Sequence, residues 1–122
     1  MFSSRGVQGY HAFEARAGHH LAPAPLSSGR DIFEELGRGY TLVALTEDPR
    51  QATAAFQAAA GELRVPLRVL TDTFDGPRAA YKRRFILVRP DQYVAWAGDE
   101  APADAADLLR KVIGEPGEGT LT

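Results

Sequence analysis

Histidines, a basic run and paired carboxylates are the residue types in this chain with chemistry to offer. His19-His20 invites a metal reading, with His11 upstream. Adjacent residues on an extended chain point to opposite sides, so the pair does not converge on one ion. No cysteine or well-spaced carboxylate completes a ligand set, and solvent-exposed linker histidines are expected. Lys82-Arg83-Arg84, with Arg78 and Arg89 nearby, is the densest positive stretch and has the charge to grip phosphate. Asp72, Asp75 and Asp91 flank it, and neither a recognition helix nor an aromatic platform accompanies it. It reads as a solvated loop with local ion pairs, or as a face for a partner protein. Glu34-Glu35 and Asp99-Glu100 are neighbours on a short helix and in a loop. Acid–base work instead needs two groups held in different environments across a pocket.

The remaining motifs are absent. No serine sits in a GxSxG elbow, Gly37 and Gly39 form no GxGxxG, and no glycine run leads to a phosphate-loop Lys-Ser/Thr. The chain has no cysteine, which removes disulfides, a CxxC dithiol, iron–sulfur ligation and a thiolate nucleophile. The expectation is therefore no catalytic, cofactor-binding or metal-binding residue in this chain.

The elements that would position any site follow from pattern. At 122 residues and 44% apolar composition the chain has the size of one domain. A net charge of −2 gives no global attraction to nucleic acid or anionic lipid. No apolar run approaches the roughly 20 residues of a membrane span, and without an apolar leader at Met1 a cytoplasmic protein is expected. Residues 1–20 lack periodicity and read as an arm or linker. Leu21–Leu26 carries two prolines and reads as extended. Ser28, three residues before Asp31, reads as a capping-box start for a short helix through Leu36, which Gly37 would end with positive φ.

Tyr40–Thr46 is near-continuously hydrophobic, as a strand buried on both faces would be. Asp48 and Pro49 read as the cap and first turn of a helix with the stripe Ala52, Phe56, Ala59, Leu63. Val65–Thr71 is a second strand, closing a βαβ unit. After a polar connector with one helical turn near Ala79–Tyr81, Phe85–Val88 and Tyr93–Trp96 form a hairpin about Arg89-Pro90-Asp91-Gln92. Ala105, Leu108, Leu109, Val112 and Ile113 make a last helical stripe, begun near Pro102 and stopped by Gly114. The order βαβ–ββα predicts an α/β fold, a mixed sheet with helices on both faces, preceded by an extended arm and short helix. The expected division is arm 1–20, domain 21–114 and flexible tail 115–122.

Two segments carry a family resemblance. One is Ala17-Gly18-His19-His20-Leu21-Ala22-Pro23 leading into Ser27–Leu42; the other is Leu87-Val88-Arg89-Pro90-Asp91-Gln92-Tyr93-Val94-Ala95-Trp96. Together they resemble the C-terminal domain of FAD-dependent aromatic-ring hydroxylases of the phenol-hydroxylase type, which includes phenylpropionate and polyketide hydroxylases. The resemblance implies a thioredoxin-like fold that has lost redox chemistry, with FAD and substrate held by preceding domains of a parent monooxygenase. It implies flavin-binding domains as partners, in cis or in trans, and homo-oligomer contacts in some relatives; neither nucleic acid nor membrane is expected as a partner. Phe33, Tyr40, Arg89, Pro90, Asp91, Tyr93 and Trp96 are the structural or interface candidates. The alternative left open is a free-standing dimerisation or partner-docking module.

Overall fold

The structure, a computed structural model, describes residues 14–113. Most of the expected arm, Gly114 and the tail lie outside the described residues. A four-stranded sheet in the order β2-β1-β3-β4 forms the centre. Strand β1 (Tyr40–Leu45) pairs parallel with β2 (Leu67–Asp72) and antiparallel with β3 (Phe85–Val88). Strand β4 (Val94–Gly98) closes the far edge antiparallel to β3. The expected βαβ–ββα order is the observed one.

The continuous apolar runs of β1 and β3 are explained by their central places. Leu42, Ala44, Phe85 and Leu87 point to one face; Val43, Leu45, Ile86 and Val88 point to the other, and all eight are buried. The first face is covered by two helices, α2 (Arg50–Leu63) and α3 (Ala105–Val112). Ala52, Phe56, Ala59 and Ala60 of α2 meet Ala105 and Leu109 of α3 in that layer. The other face holds the four-residue helix α1 (Ile32–Glu35), a 3₁₀ turn (Gly76–Tyr81) and an extended N-terminal strap. In the strap Leu21, Ala22, Ala24 and Leu26 are buried while Pro23 and Pro25 face out, so the prolines occupy positions where no ladder amide is needed.

Residues 14–20, read as the end of an arm, lie against the body. Ala15 is buried and its amide donates to the Tyr81 carbonyl at 3.0 Å, while Gly18 donates to Val94 at 2.8 Å. His19 and His20 are exposed, as expected of histidines in a linker.

Four local expectations are corrected by capping geometry. The capping box starts at Asp31, not Ser28: its carboxylate accepts from the Phe33 amide and Glu34 Oε1 accepts from the Asp31 amide at 2.9 Å. That helix ends with Leu36 in extended backbone, so no left-handed glycine is used at position 37. Asp48 does not cap α2; Pro49 is the cap residue and the Asp48 carboxylate turns to Arg50 Nε at 3.1 Å. Helix α3 starts later than Pro102, at a cap formed by Asp104 on the Asp107 amide.

Helix α2 ends on Arg64 in the left-handed region, φ 59°. An L side chain there costs about 1–2 kcal/mol, partly offset on replacement by glycine's greater unfolded-state entropy. Arg64→Gly is expected to raise stability by about 0.5–1 kcal/mol in urea unfolding, with an unchanged m-value.

Among the described residues no helix is long and apolar enough to cross a membrane.

Candidate functional site

The carboxyl end of β1, a usual place for ligands in sheets with parallel strands, opens two adjacent clefts of about 360 and 330 Å³. Thr46 and Arg84 line both. Arg84 lies with its guanidinium 4.6 Å from the Phe74 ring centroid, and its amide donates to Asp99 Oδ1 at 3.3 Å. The Arg50 hydrogen bond and charge hold the exposed Asp48 carboxyl below the ordinary range. The cleft therefore offers a hydroxyl, carboxylates and a guanidinium, with no thiol or imidazole. Among the described residues no group of three His, Cys, Asp or Glu side chains is placed to hold a metal.

Beneath this end lies a network that the sequence reading missed. Arg78, expected as part of a solvated basic loop, is 5% exposed. Its Nε donates to the Thr73 carbonyl at 2.7 Å, Nη1 to the Pro25 carbonyl at 2.9 Å, and Nη2 to Thr73 Oγ1 and Asp75 Oδ1 at 2.8 Å each. The Asp72 carboxylate lies 3.6 Å from Nε and accepts from the Ser27 and Thr73 amides at 2.8 Å. Burial pushes the Asp72 carboxyl upward, but the hydrogen bonds from Ser27 and Thr73 and the Arg78 charge outweigh it, leaving it below the usual range. The signal was the cluster Asp72-Thr73-Asp75 three to six residues before Arg78, which supplies acceptors for one guanidinium fork. The other basic residues of the run are exposed or half-buried; Arg83 lies 3.8 Å from the distant Glu14, and Arg89 pairs locally with Asp91 at 2.7 Å.

The opposite end of the sheet gathers most of the sequence-derived candidates. Arg89-Pro90-Asp91-Gln92 turns the hairpin: the Gln92 amide donates to Arg89 at 2.9 Å, and Gln92 takes φ 72°. The Arg89 amide closes the loop on the Tyr93 carbonyl at 2.8 Å. Tyr93 is 41% exposed, with the Arg89 guanidinium 6.0 Å from its ring centroid. His20, absent from the candidates, stands edge-on to both Tyr93, 5.1 Å away, and Phe33, 6.0 Å away. It thereby joins a helix residue to a hairpin residue. Tyr40 begins β1 beside this cluster: burial raises its phenol pKa, with Arg89 lowering it and Asp91 raising it.

Trp96 does not join them. Its indole packs 5.6 Å from Phe56 on the helical face and lies across Gly98, where a Cβ would meet the ring at 2.7 Å. That contact requires glycine at 98, and it makes Trp96 part of the helical layer.

Comparison with known proteins gives this arrangement its family. The family model described as aromatic-ring hydroxylase, C-terminal, matches residues 14–116. Aklavinone 12-hydroxylase RdmE of Streptomyces purpurascens is 37% identical over 88% of this chain and 20% of its own length. The FAD-dependent monooxygenase opdD of Penicillium oxalicum is 30% identical over 72% of this chain and 17% of its own. The structure of the rebeccamycin biosynthetic enzyme RebC with reduced flavin superposes with TM-score 0.72 at 35% identity, covering 81% of this chain and 19% of that one. The chain thus spans about a fifth of the length of the relatives it matches. It belongs to the family of aromatic-ring hydroxylase C-terminal domains.

Proposed function

We propose that this chain is a non-redox, thioredoxin-like accessory domain of a cytoplasmic FAD-dependent aromatic-ring monooxygenase. In this reading it packs on the flavin-binding domains and is not catalytic alone. The observation that carries the reading is the match to one C-terminal fifth of flavin-dependent hydroxylases, with no flavin fingerprint in the sequence. The strand order β2-β1-β3-β4, with β1 and β2 parallel and β3 reversed, supports the thioredoxin-like assignment. At the carboxyl end of β1, Thr46 to Arg50 supplies no group able to exchange a disulfide. FAD and the aromatic substrate belong, on this reading, to the preceding part of the parent enzyme.

The test is spectroscopic and binding-based. The purified chain is expected to show no flavin absorption and no disulfide reductase activity. It should associate with the flavin-binding portion of a hydroxylase that lacks its own copy of this domain. Stoichiometric bound flavin, turnover of a phenol by the isolated chain, or failure of that association overturns the proposal.

A further inference from the structure

Resting on that reading, we propose that the hairpin-end patch of His20, Phe33, Arg89, Asp91 and Tyr93 is the surface that seats this domain on the flavin-binding portion of the hydroxylase. Tyr93 is the large hydrophobic side chain left exposed among the described residues. It is held in place: His20 stands edge-on to its ring, and Arg89 lies beside it, clamped to Asp91 at 2.7 Å. Rigid tyrosine and arginine anchors lose little side-chain entropy on docking, which is why such residues dominate interface energetics. The Arg89–Asp91 pair neutralises itself, so the patch fits an uncharged, aromatic or amide-rich protein surface and not a polyanion.

The path of the chain selects the occupant. The family match begins at residue 14 and corresponds to about a fifth of longer relatives, so in such an enzyme the flavin-binding portion precedes residue 14 in the chain. From that point the strap runs directly to the hairpin. The Gly18 amide donates to Val94, the Val94 amide to His19 and the Leu21 amide to Gln92, at 2.8 to 2.9 Å. His20 lies six positions beyond residue 14, a reach of about 20 Å at full extension. A body tethered that closely meets the patch at a millimolar effective concentration, well above any free second copy.

The experiment uses a chimera in which the flavin-binding portion of RdmE is followed by this chain, compared with the 122-residue chain alone. Hydroxyl-radical footprinting is expected to show Tyr93 oxidised about fivefold more slowly in the chimera, the protection expected of a buried interface anchor. Pro66, exposed before the β2 edge, should oxidise at the same rate in both. A chimera that binds FAD and scatters as a compact particle, yet leaves Tyr93 as reactive as in the free chain, overturns the patch and spares the accessory reading. One in which the domain swings free overturns both. Independently, the isolated chain is expected to sediment as a monomer; a dimer dissociated by Tyr93→Ser would assign the patch to a second copy and overturn the proposal.

Discussion

Arg78→Ala is expected to destabilise the domain by about 3–5 kcal/mol, the cost of removing one partner of a buried ion pair. At that cost the midpoint of thermal unfolding falls by about 15 °C or more. The size follows from what is stranded. Both Arg78 and Asp72 side chains are 6% exposed, so the carboxylate left behind cannot recover its lost partner from bulk water. The Thr73 and Pro25 carbonyls lose their guanidinium donor at the same time. Arg78→Lys keeps the charge but not the planar fork, and about half the loss should remain.

The pH dependence identifies the cause. Asp72 has its carboxyl lowered in the folded state, so its contribution is fully present above the unfolded value near 4 and fades as pH falls through the folded one. The gap between wild type and Arg78→Ala should therefore narrow as pH falls below the unfolded value near 4 and through the lowered folded one, where Asp72 becomes protonated in both. Urea denaturation followed from pH 7 downward into the acid range measures it; a gap of constant size through the whole descent would show that the loss comes from packing alone.

How Arg78 was misread shows where sequence patterns lose their grip. Periodicity reports burial of apolar side chains, so it found β1, β3 and the stripes of α2 and α3. It says nothing about a charged residue whose partners are polar and come from the stretch 72–75 at the end of β2 and from Pro25 of the strap. The N-terminal region escaped for a related reason. Residues 14–20 lie against the body without helical or strand periodicity of their own, held by hydrogen bonds to Tyr81 and Val94. An element assembled from long-range contacts has no local signature, and glycine- and proline-rich sequence imitates a linker.

The hairpin candidates were legible because turn chemistry is local: Pro90 and Asp91 stand where a turn requires them. Their association with Phe33 was not, since it runs through His20 and depends on the strap lying beside β4. Trp96, a structural or interface candidate from the same strand, lies apart from them. Val94 pairs with Val88 and Trp96 with Leu87, which leaves Ala95 as an extra residue in β4 and sends the indole to the helical face.

Tyr81 tests whether the strap is a structural layer or a covering that could be lost. Its ring is fully buried at the end of the 3₁₀ turn, its hydroxyl donates to the Ala22 carbonyl, and its own carbonyl accepts from the Ala15 amide. Tyr81→Ala removes the largest side chain between strap and sheet, and a loss of about 3–5 kcal/mol is expected. Proteolysis under native conditions should then cut within residues 14–26, where wild type resists. Tyr81→Phe keeps the ring and removes only the hydroxyl, with an expected loss of about 1–2 kcal/mol from the unpaired carbonyl. The two variants also separate at high pH. Burial, with a smaller contribution from Asp31, holds the phenol protonated far above its ordinary value, so its stabilisation is complete below pH 10 and is lost as pH rises beyond that. Wild-type stability should consequently fall with alkaline pH more steeply than that of Tyr81→Phe, which has no proton there to lose. If the two slopes coincide, the hydroxyl is reached by solvent in the folded state and the strap does not seal this face.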